Sequence, residues 1–336
     1  MSETLPDGAD AVLAQAGLVA PFMATRLAGG MNNQVFQVKS AGRDDVVLKA
    51  YFNDADDTRD RLGAEFAFLQ FAAQQGVACV PRPLAQDRAR HLGVYSFAAG
   101  RATQAADVTD DAVAQAIAFL TGLNANRAAV PQLPAASEAC LSVDQHLATV
   151  ERRLVRLRAA LGTDDVAQDA AAFLDRDVAP LWSRIQNAVH AQFKALGVDP
   201  AQTQAPIVSP SDFGFHNALI ADTGAITFLD FEYAGADDPA KLVGDAFHQV
   251  KVPIPRHYYT TFRDAVAAWS PAPELERRRT DALLPIYGVK WIVIMLNEFL
   301  PIGERRRAFA AHRTDRRAEQ LAAARAKFAR LAAEIF

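Results

Sequence analysis

The chain has 336 residues, 51% hydrophobic and 22% charged, which is enough apolar matter for two lobes with a shared core and too much for a disordered chain. A formal charge of −4 gives no global case for nucleic acid. Cys79 and Cys140 are the only cysteines and make no C-x-x-C, so two reduced, buried thiols are expected rather than a disulfide framework.

The opening MSETLPDGADAVLAQAG carries early acids and no basic region before an apolar run, unlike a signal peptide. Val35–Val38 and Val46–Phe52 flank the turn-rich SAGRDD and predict a hairpin. Leu62, Phe66 and Leu69 recur at helical spacing within Asp60–Ala73. The turn VACVPRP follows, then a strand over Leu92–Ala98, closed by Gly100. Residues 1–97 thus read as a small β-rich lobe.

Beyond Gly100 the pattern becomes helical. Ala112–Leu123 is an alanine-rich helix, and Ser142 with Gln145 forms a capping box before the stripe Leu147, Val150, Leu154, Leu157 and Leu161. Leu181, Ile185, Val189, Phe193 and Leu196 mark another helix, stopped by Gly197 and Pro200. A polar hairpin follows, then more helices, with Ser270–Glu274 (SPAPE) as a late loop. The apolar segment WIVIMLNEFL is cut by Asn297 and Glu298 and is short for a bilayer. Residues 98–336 therefore form a larger, mainly helical lobe. The fold class expected is α+β and bilobal, in a soluble, cytoplasmic protein with no membrane partner, and the junction of two such halves is where ligands commonly lodge.

The polar hairpin lies within SPSDFGFHNALIADTGAITFLDFE, Ser209–Glu232. ALIA and AITFL are β-prone, and Asp-Thr-Gly supplies the turn. A hairpin brings Asn217 and Asp230 together across thirteen residues, and an amide oxygen beside a carboxylate suits a hard cation such as Mg²⁺. Asp212 stands five residues before Asn217, the D-x-x-x-x-N spacing of the protein-kinase catalytic loop, and Asp230 opens a D-F-E where kinases have D-F-G.

The complementary nucleotide half must come from the first lobe. No G-x-x-x-x-G-K-[ST], no Gly-Lys pair and no G-x-G-x-x-G occurs. LAGGMNNQVFQV offers Gly29, Gly30, Asn32 and Asn33 for close backbone approach to a phosphate, a pattern that an ordinary hairpin turn also produces. Lys49, inside the half-buried VVLKAYF, needs a partner or a ligand, and Glu65 on the next helix stands where kinases pair a glutamate with their strand lysine. Backbone groups of the segment joining the lobes, near Ser96 and Phe97, are the place to read a base.

In these elements, taken in order from about Leu27 to Phe247, the chain resembles the aminoglycoside phosphotransferase and choline kinase group, whose fold is protein-kinase-like. That group's H-G-D-x-x-x-x-N appears here as Pro210-Ser211-Asp212 through Asn217, and its D-F-E as Asp230-Phe231-Glu232. The resemblance implies ATP and Mg²⁺ as cofactors, with Asp212 as catalytic base, Asn217 and Asp230 as Mg²⁺ ligands and Lys49 on the α- and β-phosphates. It also implies a small-molecule hydroxyl acceptor. The usual His-Gly is replaced by Pro210-Ser211, which keeps open a weakly active or inactive nucleotide-binding module. Asp245 resembles a later structural aspartate, and His216 is read as packing the loop. From Pro301 onward nine Arg or Lys face four Asp or Glu. Lys290, Arg305, Arg306 and Arg307, with Asn297 and Glu298, tilt the expected acceptor toward a neutral or anionic metabolite such as a sugar. A nucleic-acid partner finds no zinc spacing or aromatic-basic motif to support it.

Overall fold

Alternating burial organises the first part of the chain. In the structure, a computed structural model that describes residues 3–27, 33–309 and 315–335, strands β1 (Met23–Arg26), β2 (Gln34–Lys39), β3 (Val46–Ala50), β4 (Pro83–Asp87) and β5 (Leu92–Ser96) form one antiparallel sheet. The spatial order is β1-β2-β3-β5-β4. The predicted hairpin is β2–β3, paired from Gln34↔Ala50 to Val38↔Val46. The edge strands β1 and β4 lack β-branched runs and were not visible as strands. Pro83, placed in the predicted turn, opens the edge strand β4, a position where a missing N–H is tolerated.

Helix α1 (Ala9–Gln15) covers one sheet face, packing Val12 and Leu13 with Val38, Leu48 and Val94. Val46, Leu48 and Ala50 are the deeply buried residues of β3, so period two sends Lys49 to the opposite face. There lies α2 (Arg61–Gln74), capped at its start by the Asp60 carboxylate, which accepts from the Gly63 N–H at 2.8 Å.

The remainder is mainly helical. Strand β6 (Arg101–Ala102) leads to α3 (Asp110–Asn124) and α4 (Val143–Ala160). Helix α5 (Asp165–Phe173) then runs through a π-helical turn, Leu174–Val178, into α6 (Ala179–Leu196), which Gly197 ends at φ +67°. Strands β7 (Ile207–Ser209), β8 (Ala218–Ile220), β9 (Ile226–Phe228) and β10 (Gly235–Asp237) surround the polar segment. Helices α7 (Pro239–His248), α8 (Tyr259–Ala267), α9 (Pro273–Met295), α10 (Pro301–Phe309) and α11 (Arg317–Ile335) complete the chain. The Ser142 hydroxyl caps α4 as expected, accepting from the Gln145 N–H at 3.4 Å. The reciprocal bond is displaced by one residue: Gln145 Oε1 accepts from Leu141 N at 2.6 Å. The late loop is shorter than expected, because Pro273 already begins α9. That helix and the turn after it pass for a membrane span by length and apolarity alone, yet 67% of the apolar window is buried inside the protein. It packs in the core with α4, α6 and α11.

A second core ties the sheet side to the hairpin through phenylalanines. Phe68 of α2 stacks on Phe231 at 4.4 Å between centroids, and Phe119 of α3 on Phe228 at 4.7 Å. Phe213 packs against Phe228 at 5.3 Å. Phe213 and Phe231 directly follow Asp212 and Asp230 and are 3% and 2% exposed, so each acid is anchored by a buried ring. Phe231→Ala is expected to cost about 3–5 kcal/mol, read as a lower denaturant midpoint.

His248 at the end of α7 is buried, and burial, with help from Lys327 and Arg256, pushes its pKa down to about 3 from the ordinary 6.5. The unfolded chain therefore binds the proton first, and stability is lost as pH falls from about 6.5 toward about 3. His248→Gln should flatten that part of the melting temperature profile against pH.

Candidate active site

Lys49 projects from β3 toward α2, and its Nζ donates to both oxygens of Glu65 at 2.9 and 2.8 Å. A third bond reaches Asp230 Oδ1 at 2.9 Å. Burial alone would lower the lysine pKa, but the carboxylates of Asp230, Glu65 and Glu232 outweigh it and hold the ammonium protonated. The Tyr51 hydroxyl donates to Glu65 Oε2 at 2.5 Å and meets the Tyr95 hydroxyl at 2.7 Å. Glu65 is thereby fixed from two sides.

The second half of the site is built on β7 and the β8–β9 hairpin. Their short strands pair from Ala218↔Phe228 to Ile220↔Ile226, and Leu229 N donates to Asn217 O at 2.8 Å. The chain therefore returns beside Asn217 one residue before Asp230, as the hairpin reading required. Asp230 has φ +66°, which aspartate tolerates better than most residues. Its side chain is 40% exposed while its partner Lys49 is 11% exposed. Asp212 follows β7 in a tight turn, its N–H donating to Pro210 O at 3.0 Å. Asn217 Nδ2 donates to the Asp212 carbonyl at 3.0 Å, bracing the loop from within.

His216 does more than fill space. Its Nε2 lies 3.4 Å from Asp212 Oδ1, and its Nδ1 is buried without a hydrogen-bond partner. Burial would raise the Asp212 pKa. The His216 bond and charge, then Lys251 and Lys290, pull it below the ordinary carboxylate value, so Asp212 is ionised at neutral pH. An ionised carboxylate on a braced loop can accept a proton or orient a hydroxyl.

Other expected residues fare differently. Gly29, Gly30 and Asn32 lie outside the described residues. Asn33 is buried, donating from Nδ2 to Glu232 Oε2 at 2.6 Å and accepting from Phe52 N at 3.2 Å. Both ends of its amide are used within the protein, so it ties the start of β2 to Glu232 of D-F-E and to Phe52. The amides of Ser96 and Phe97 are also taken: they donate to Arg82 O at 2.9 Å and Asp45 O at 3.3 Å. Two of the four cations behind the acceptor tilt, Lys290 and Arg305, are engaged within the protein. Lys290 is buried and paired with Asp245 at 2.9 and 2.8 Å, and Trp291 Nε1 donates to the same carboxylate at 3.0 Å. Arg305 pairs with Asp54 at 2.9 Å and Asp56 at 2.7 Å, and the side chains of Arg306 and Arg307 are not among those described.

Among the described residues no three His, Cys, Asp or Glu side chains converge as a metal cage. A sparser set, one amide oxygen and one half-exposed carboxylate, fits a cation that keeps water and phosphate oxygens in its shell. Asn217 and Asp230 are the residues that could supply it, their backbones being brought close by the Leu229 N–H bond to Asn217 O.

A family model described as "Phosphotransferase enzyme family" matches residues 24–279. The chain belongs to the phosphotransferase enzyme family. The match extends past α8 into α9, further than the elements quoted from the sequence. No curated protein sequence matches. Among solved structures, the phosphotransferase is similar in fold to a choline/ethanolamine kinase family protein from Mesorhizobium loti, with a TM-score of 0.59 and 20% identity over 97% of each chain. It is also similar to a choline kinase from Cryptosporidium parvum Iowa II (TM-score 0.58, 11% identity, 94% of this chain and 90% of that one). A third is a spectinomycin phosphotransferase, whose structure holds ADP and spectinomycin (0.57, 12%, 92% and 94%). The bilobal, protein-kinase-like fold expected from the sequence is the fold observed.

Proposed function

We propose that the protein is an ATP- and Mg²⁺-dependent kinase that phosphorylates a hydroxyl of a small metabolite such as a sugar, an amino alcohol or an aminoglycoside-like molecule. The observation that carries this reading is the position of Lys49, which is 2.9 Å or less from carboxylate oxygens of both Glu65 and Asp230. A buried ammonium between a helix glutamate and the first acid of D-F-E is the arrangement used to grip nucleotide phosphates. Residues 1–97 would supply the nucleotide side and residues 98–336 the acceptor side. The spectinomycin phosphotransferase, seen with ADP and in another structure with AMP, supports the choice of an adenine nucleotide.

Lys49 would hold the α- and β-phosphates, kept in place by Glu65 and, behind it, Tyr51. Asn217 and Asp230 would hold Mg²⁺, whose charge offsets that building on the phosphates. Asp212 would orient the acceptor alcohol and take its proton as the hydroxyl oxygen bonds to the γ-phosphorus. The bond from that phosphorus to the β–γ bridging oxygen breaks, and ADP leaves. Because the transition state is loose, most of the rate comes from positioning.

Pro210 in place of the usual histidine favours a second reading, a nucleotide-binding module without transfer. A pool of hydroxylated metabolites incubated with labelled ATP separates the two. A phosphorylated metabolite supports the kinase, whereas metal-dependent ATP binding with no product across the pool supports the module.

A further inference from the structure

Several buried charges are not used by the proposed mechanism, and one of them meets the loop that carries Asp212. Lys241, in the first turns of α7, is 1% exposed. Its Nζ donates to Asp237 Oδ2 at 2.5 Å and to Ser211 Oγ at 3.2 Å. Asp245, the partner of Lys290, lies 3.7 Å from the same nitrogen. A lone ammonium at this depth would be prohibitively costly, so its partners must be fixed in place. Asp237 is itself immobilised, accepting from the backbone N–H groups of Cys140 at 3.1 Å and Asp238 at 2.9 Å.

The topology explains why this lysine meets the catalytic loop. Strands β10 and β7 pair with Gly235 opposite Ser209 and Asp237 opposite Ile207. β10 runs into α7, and β7 runs into Ser211 and Asp212. Ser211 sits at φ +66°, a conformation that glycine, the group's usual residue here, adopts freely and serine does not. The strained residue is held at two points: its N–H donates to Ser209 Oγ at 3.0 Å, and its hydroxyl accepts from Lys241. The peptide that follows Ser211 sets the direction of Asp212.

We propose that Lys241 is a positioning residue for phosphoryl transfer: its ammonium fixes the Ser211 hydroxyl and, through it, the aim of Asp212, in a chain that has Pro210-Ser211 where His-Gly is usual. The inference rests on Asp212 being the base proposed above. The Ser211 bond is the contact that joins this buried ion pair to the loop carrying Asp212.

Ser211→Ala removes one hydroxyl and leaves the Lys241–Asp237 pair intact, so it is the variant of choice; Lys241→Met accompanies it. With a metabolite found in the labelled-ATP pool, each should lower kcat by on the order of 10- to 10²-fold with the KM for ATP unchanged, as for a slightly misplaced catalytic group. In an Asp212→Ala background neither should lower kcat further, because a residue acting through Asp212 has nothing left to aim. Wild-type kcat in Ser211→Ala, or a loss that carries over in full to the Asp212→Ala background, would overturn the proposal. Hydrogen exchange on the full chain gives a readout that needs no acceptor. In Ser211→Ala, amides within residues 210–217 should exchange faster while β7 and α7 keep their protection. Unchanged exchange there would overturn the positioning role. A wild type that phosphorylates nothing would sink the kinase reading separately, with the exchange result still deciding whether Lys241 holds the loop.

Discussion

Asp212→Ala is expected to retain ATP affinity and to lose about 10²–10⁴ in turnover, the range for removal of a general base. The structural reason is that Asp212 contributes nothing to the Lys49 cluster. Lys49 is satisfied by Glu65 and Asp230, whereas the Asp212 carboxylate faces His216 and is joined to Asn217 only through its backbone carbonyl. Removing the carboxylate therefore spares the nucleotide half. Steady-state kinetics with calorimetric ATP binding on the same preparation would check it. A fully active variant would reject Asp212 as the base. A variant that no longer binds ATP would mean the loop, not the carboxylate, had been damaged.

Asp230→Ala should fail differently. Asp230 is one of two proposed oxygen ligands for Mg²⁺ and also one of the two carboxylates on Lys49. Its loss should abolish the metal dependence of ATP binding, as well as turnover. With one ligand and one charge partner gone together, affinity for Mg²⁺·ATP should fall by on the order of tenfold or more, since hydrogen bonds to charged groups are worth about 1.5–3 kcal/mol. ATP titrated calorimetrically with Mg²⁺ and with EDTA should give a large difference for wild type and almost none for Asp230→Ala. An equal difference in both would remove Asp230 from the metal site.

Much of this site was legible because its signals are local. Asp212, Asn217 and Asp230 lie within one stretch whose β-prone runs and Asp-Thr-Gly turn specify a hairpin, and a hairpin dictates which residues meet. Lys49 stood out because an ammonium in a half-buried strand demands a partner, and Glu65 was the acid on the next helix. The illegible parts depend on pairings that no periodicity encodes. Asn33 meets Glu232 from 199 positions away, so an asparagine that looks like turn chemistry is a tie between two motifs. Lys290 and Asp245 are 45 positions apart, and without that pairing Lys290 looked available to a substrate. Ser211 and Lys241 are 30 apart and belong to different elements. The signal that was present, a lysine inside the amphipathic run DDPAKLVGDAF, could not name its partner. Edge strands β1 and β4 were missed for a related reason: half-exposed edges need no β-branched run.

The most direct measurement follows the γ-phosphate of labelled ATP in one vessel containing the protein, Mg²⁺ and pooled hydroxylated metabolites. The expected result is label in an organic phosphate ester, dependent on Mg²⁺ and lost with Asp212→Ala. Label that stays in ATP, or passes only to inorganic phosphate, would contradict a site built to carry a phosphoryl group to an alcohol.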